Sequence, residues 1–346
     1  MLTELETYST IALYSAMIVY AIAFVFYVVD LANRSGDAHL AAKPQQAAGA
    51  ASGALSAAAA GSAGSAATAG SAGSSGGTAT MARTRTAAPQ QKAPRSRWLR
   101  AGFALTVLGF ALHLAATVLR GIGAERVPWA NMYEFALTAT VAVVGIFLIV
   151  QFFVDLRFLG TLVTGLTLVF LGVAKINYYV AIVPLVPALD SYWLVIHIIV
   201  AVLAVGFFTL SFGLSILQLM QARRVAKVQS GDTRSMAFMA GYPTQVRLED
   251  LAYRLAIIGF AFWTFTLIAG SIWAEAAWSR YWGWDVKEVW TFIIWVLYAG
   301  FIHARATRGW RGTRSAWLNI VSYTAVIFNF SIVNVFFKGL HAYSGL

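Results

Sequence analysis

The residues best equipped for chemistry sit in one stretch. Positions 273–305 read WAEAAWSRYWGWDVKEVWTFIIWVLYAGFIHAR: Trp273, Trp278, Tyr281, Trp282, Trp284 and Trp290 surround a polar insert of Asp285, Lys287 and Glu288, and an apolar run follows, ending at His303 and Arg305. A flat aromatic platform beside a few charges suits a large planar ligand with acidic substituents, because rings stack on its faces while cations pair with its acids. Bilayer surfaces also collect tryptophan and tyrosine, and for any one of these tryptophans an interfacial belt is the simpler explanation. A belt does not account for the three charges set among them, nor for a density that peaks in one loop.

The elements that position this stretch follow from composition. Of 346 residues, 59% are hydrophobic and 11% charged, with mean hydropathy +0.70, a balance no water-soluble globule could hide in its interior. The expected fold is therefore all-α, a polytopic integral membrane protein with about eight transmembrane helices. Apolar runs long enough to cross about 30 Å of hydrocarbon lie near 10–30, 99–119, 135–153, 158–174, 191–221, 251–272, 288–304 and 315–335. The fifth is longer than a membrane needs and should project from it; Pro184 and Pro187 precede it, with Asp190 or Ser191 as its N-cap. The first run has Glu4 and Glu6 ahead of it and no Lys or Arg, unlike the basic lead of a cleaved signal peptide, and reads as a retained helix. Residues 34–96 are dominated by Ala, Gly and Ser with almost no large apolar side chain, and are expected to be a disordered cytoplasmic linker. This divides the chain into an N-terminal helix over 1–33, the linker over 34–96, and a seven-helix domain over 97–346.

Charge placement sets the orientation. Of the 25 Lys and Arg, eighteen fall in 31–100, at Arg157, in 221–250 and in 304–314, all on one side of the spans; six fall on the other side. The rich side is cytoplasmic by the positive-inside rule, which puts both termini, the 120–134 and 175–190 loops and the Trp-rich loop outside. The basic balance is thus a topology signal, and nucleic-acid binding is not expected. With no cysteine, the chain forms no disulfide and offers no thiolate.

This topology sorts the five histidines. His39 lies at the edge of the linker. His197, at the outer end of the fifth span, and His341, in the external tail, flank the Trp-rich loop on the same side. His303 is about 22 Å down the seventh span, near the inner face. His113 lies in the outward half of the second span, with no role assigned. Taken singly, a histidine in a membrane helix is packed and hydrogen-bonded more often than it is a ligand, yet intramembrane ionisable groups are costly enough to raise a functional question. Two external histidines beside an aromatic shelf could supply two axial nitrogens to a haem iron, with Arg126, Arg280 or Lys287 pairing with its propionates. A second external stretch, VPWANMYEF over 127–135, brings Asn131, Tyr133 and Glu134 to the same face as a possible wall of that site, or is simply a turn and helix start.

The run Trp278, Tyr281, Trp282, Gly283, Trp284, Asp285, Lys287, Glu288, Trp290, followed by Trp295, Tyr298 and the His303/Arg305 pair, resembles the "WWD" signature of haem-handling proteins. It is most similar to the CcsA (ResC) family of the System II cytochrome c synthase, over about 97–346 and including Asn131, Met132, Tyr133 and Glu134. Ser279 and Val286 stand where the family usually has Gly and Pro. The resemblance implies that haem b made in the cytoplasm is taken up in the membrane, presented outside the plasma membrane, and attached to a Cys-X-X-Cys-His apocytochrome c in concert with a CcsB (ResB) partner. It further implies that His197 and His341 are the external axial ligands, that His303 is an intramembrane ligand whose opposite number comes from the partner, and that Trp278, Trp282 and Trp284 contact the haem. A synthase of this kind acts by positioning two reactants; Asp285 or Glu288 as proton donors to the vinyl groups is a weaker idea. Rival readings are a System I haem handler, which a neighbouring ResB-like gene would argue against; a b-type electron-transfer subunit, which typically pairs histidines on shared helices; and a transporter without haem, for which inverted repeats or broken helices would speak.

Overall fold

The computed structural model describes residues 2–61, 96–182, 190–232, 235–307 and 309–341. The described secondary structure is helical: α1 (Leu2–Gly61), α2 (Arg97–Ala124), α3 (Met132–Val150), α4 (Gly160–Asn177), α5 (Tyr192–Gln229), α6 (Gln245–Trp278), α7 (Val286–Ala306), α8 (Thr313–Phe330) and the short α9 (Ile332–Phe336), with two 3-10 turns at Arg157–Leu159 and Ala237–Gly241. Among the described residues, eight segments are long and apolar enough to cross a membrane, the eighth being α8 and α9 together. They coincide with the eight runs expected from hydropathy.

Two expectations change. Disorder was expected from residue 34, but α1 continues to Gly61. Alanine is the best helix former, and the membrane span supplies the costly nucleus, so each further residue adds a hydrogen bond at little cost. The rest of the expected linker, 62–95, lies outside the described residues. At the start of α5, Ser191 is the N-cap as expected, but its side chain makes no capping bond, and the two prolines before it lie outside the described residues. The 38 residues of α5 correspond to about 57 Å, so the helix does extend well past the hydrocarbon.

Helix contacts here rely on close approach, since lipid is as apolar as leucine and supplies little drive for apolar association. Tyr20 of α1 lies against Gly109 of α2, where an added methyl would stand 2.7 Å from the ring, and Tyr27 covers Gly102 and Gly160 in the same way. Phe208 of α5 packs over Gly259 of α6 and stacks on Tyr298 of α7 at 3.6 Å between ring centres. Polar ties reinforce these contacts. Arg305 of α7 pairs with Glu249 at 2.6 Å and Asp250 at 2.7 Å on α6, and Asn319 of α8 donates to Ser211 and Ser215 of α5, both at 2.8 Å. Ile257, Ile258, Phe265 and Ile268 face outward from α6, as a lipid-facing surface requires.

Candidate functional site

The Trp-rich loop is shaped by its own acids. Asp285 caps α7 by accepting from the Lys287 amide at 3.3 Å, while Glu288 reaches back to accept from the amides of Asp285 at 3.0 Å and Gly283 at 2.8 Å. This reciprocal capping box satisfies amides that the helix start would leave bare. It also holds Trp284 at φ +58°, a conformation L-residues avoid, with its indole 77% exposed. Gly283 makes room for the Arg280 guanidinium, which a side chain there would displace.

Asp285 has a second task. Its carboxylate also accepts from the Leu340 amide at 3.0 Å and from Nδ1 of His341 at 2.7 Å, folding the tail after α9 back onto the loop. The hydrogen bond from His341, chiefly, holds the Asp285 carboxyl below the usual carboxylate value, against the opposing effect of burial. Lys287 secures the other flank, donating to the Asn329 carbonyl at 2.9 Å and to the Asn334 side chain across the break between α8 and α9.

His197 enters from α5, with Nδ1 2.9 Å from the Thr266 carbonyl of α6. A carbonyl or carboxylate can only accept, so Nδ1 carries the proton in both His197 and His341. With Nδ1 so engaged, Nε2 is the ring nitrogen left to meet a metal, the arrangement that orients metal-binding histidines. Trp273 stands beside both rings, 6.0 Å from His197 and nearly parallel to it, and 5.4 Å from His341; Trp278 is 4.9 Å from His341. Both histidines line one cavity of about 190 Å³, together with Trp273, Trp282, Lys287 and Glu288. From His197 it descends along α5 to Thr209, about 18 Å deeper, walled mostly by apolar side chains of α3, α6 and α8.

The structure thus brings His197, His341, Trp278, Trp282, Asp285, Lys287 and Glu288 together. It places the others elsewhere. Asn131, Tyr133 and Glu134 do not line the cavity. Asn131 caps α3 by accepting from the Glu134 amide at 2.9 Å, and Glu134 is the buried centre of an ion network with Arg120 at 3.0 Å and Arg126 at 2.7 Å. Arg120 also pairs with Glu6 of α1 at 3.1 Å and lies over the Tyr133 ring. This polar cluster ties together the start of α1, the end of α2 and the start of α3, and it engages Arg126, one of the three cations considered for propionates. Lys287 is engaged as well; Arg280 is exposed and packs on Gly283. His303 is exposed in the last turn of α7, about 24 Å along that helix from Lys287 and away from the cavity. His113 is buried edge-on to Tyr20, also away from it.

The chain matches the family described as Cytochrome C assembly protein over residues 129–341, which takes in the Trp-rich loop, His197, His303 and His341. It is 32% identical over 248 residues to the cytochrome c biogenesis protein CcsA of Heterosigma akashiwo, covering 63% of this chain and 77% of that one. It is 31% identical over 282 residues to the protein of the same name from Synechococcus elongatus, covering 70% and 86%. The chain belongs to the CcsA family. Among solved structures it is similar to the cytochrome c haem lyase CcmF, with a TM-score of 0.59 at 14% identity, covering 94% of this chain and 46% of that one. At that identity the likeness concerns the fold alone. The family match begins at Trp129, so α1 and α2 lie outside it.

Sequence reasoning missed the Thr266 carbonyl, Gly270 and Gly339, which place the two histidines, and the Asn329/Asn334 pair, which holds Lys287. A backbone carbonyl has no sequence signature, and glycine in a membrane helix is too common to single out.

Proposed function

We propose that the chain binds haem at the external end of this cavity and presents it to an apocytochrome c during cytochrome c biogenesis. The observation that carries the reading is the histidine pair. Two imidazoles from separate elements line one aromatic-walled cavity, each with Nδ1 tied to an acceptor and Nε2 left as the ligating nitrogen. Haem is the cargo: its iron takes two axial nitrogens, and its vinyl groups form thioether bonds with the cysteines of the acceptor.

The protein's share of the work is binding and orientation. His197 and His341 donate from Nε2, Trp273 and Trp282 offer ring surface, and Arg280, exposed at the rim, suits the propionates. Asp285 and Glu288 are engaged in holding the loop and the tail, which favours catalysis by positioning over proton transfer from either acid. A low-spin, b-type haem and a site facing outward from the plasma membrane belong to the same reading. So does a CcsB-like partner: the exposed His303 is an ionisable group on an outward helix face, and in lipid such a group calls for a protein neighbour.

The test is the visible spectrum, oxidised and reduced, of the detergent-purified protein co-expressed with a CcsB-like partner, beside a His197→Ala/His341→Ala variant. A low-spin b-type spectrum that the double variant loses supports the reading. Purification without haem, or an unchanged variant spectrum, overturns it.

A further inference from the structure

The two histidines share a feature that chemistry-bearing side chains do not reveal: each depends on a glycine. An added methyl at Gly270 would stand 2.7 Å from Cε1 and 2.8 Å from Nδ1 of His197. The His197 ring therefore lies directly on the backbone of α6, and only there does Nδ1 reach the Thr266 carbonyl, one turn earlier, at 2.9 Å. At Gly339 a methyl would run into Oδ1 of Asp285, the oxygen that accepts from the Leu340 amide. The carboxylate reaches His341 only because residue 339 has no side chain.

Neither glycine is there for its backbone conformation. Among the described residues the glycines with positive φ are Gly231 and Gly312. Alanine is the better helix former, so backbone preference alone would favour Ala at position 270.

We propose that Gly270 and Gly339 are positioning residues for the two ligating histidines: the missing Cβ at each sets where Nε2 stands in the cavity. This rests on the haem reading above. A Cβ at 270 pushes the His197 ring off the Thr266 carbonyl; a Cβ at 339 displaces the Asp285 carboxylate and releases His341. In both variants the histidine is retained but its nitrogen is misplaced.

The experiment compares wild type, Gly270→Ala, Gly339→Ala and a control, Gly172→Ala, where an added methyl meets nothing within 4 Å. Each is titrated with haem in detergent and read by visible absorption. Wild type and Gly172→Ala should bind alike with a low-spin spectrum, while the other two should bind about 10- to 100-fold more weakly and gain high-spin character, as loss of a ligand's supporting contact does. A second readout needs no haem. Gly270→Ala should lower the melting temperature when His197 is present and leave it unchanged in a His197→Ala background, because the clash is with that ring. If Gly270→Ala does not fold, recovery of folding in the Gly270→Ala/His197→Ala double variant supports the inference, and continued failure overturns it. Haem-binding wild type with unaltered Gly270→Ala and Gly339→Ala, or an equal fall in melting temperature in both backgrounds, overturns this inference alone. Wild type that takes up no haem removes the functional reading and the ligand-positioning role with it.

Discussion

Removing the Asp285 side chain should release His341 while leaving the histidine in the chain. Asp285 accepts from His341 Nδ1 at 2.7 Å and from the Leu340 amide at 3.0 Å, both tail contacts, besides capping α7. Hydrogen bonds to a charged group contribute about 1.5–3 kcal/mol each, and with the low end for a site near the surface the two tail bonds amount to about 3 kcal/mol. At about 1.4 kcal/mol per decade, that is up to a 100-fold smaller population with the tail docked. Haem affinity scales with the binding-competent fraction, so Asp285→Ala should weaken it by up to about 100-fold. The lost cap should cost a further ~1 kcal/mol of α7 stability. Asp285→Asn should fall in between, since asparagine caps helices as well as aspartate does and keeps one acceptor. The assay is a haem titration followed at the Soret band, with His341→Ala alongside. Asp285→Ala added to His341→Ala should change little more. A change below about twofold in Asp285→Ala would refute the idea that this carboxylate secures the ligand.

The remaining expectations come from other parts of the molecule. Because the folded-state value of Asp285 lies below the ordinary 3.8, its contribution to tail docking is complete above that pH and is lost as pH falls through the lower folded value; an acid titration of tail protease sensitivity should show this transition, and Asp285→Asn should abolish it. Arg305→Ala should lower stability by about 3–5 kcal/mol, because it leaves the buried Glu249 without its 2.6 Å partner; a melting curve close to wild type would argue against that bridge. His303→Ala should leave the melting temperature and haem binding at the proposed His197/His341 site unchanged within about 0.5 kcal/mol, since the residue is exposed and distant from the cavity. Weakened binding in that variant would show the two places to be coupled.

Much of this protein was legible in one dimension because its solvent is lipid. A span must be about 20 apolar residues long and must satisfy its own backbone, so hydropathy alone located the eight helices. The Trp-rich run and the histidines flanking it were equally visible, as residue types that are costly or unusual where they stand. Glu134 and Tyr133 were visible too, as a ligand wall or as a turn and helix start; the ion pairs of Glu134 with Arg120 and Arg126, 14 and 8 positions back, and the place of Tyr133 under Arg120 depend on how α2 packs against α3, which spacing alone does not record. The long helix through Gly61 was hidden for a different reason, since Ala-rich composition is compatible with helix or disorder and the preceding span tips the balance.

What sequence by itself determined is the set of parts: eight spans, their sidedness as an expectation, and an aromatic loop with a histidine on either side. What only the tertiary structure decided is how those histidines are held. His197 takes its orientation from a carbonyl 69 positions away, and His341 from a carboxylate 56 positions away. Each contact is a matter of tenths of an ångström between a ring and a backbone, and hydropathy, which records how a residue partitions between water and lipid, carries no information at that scale.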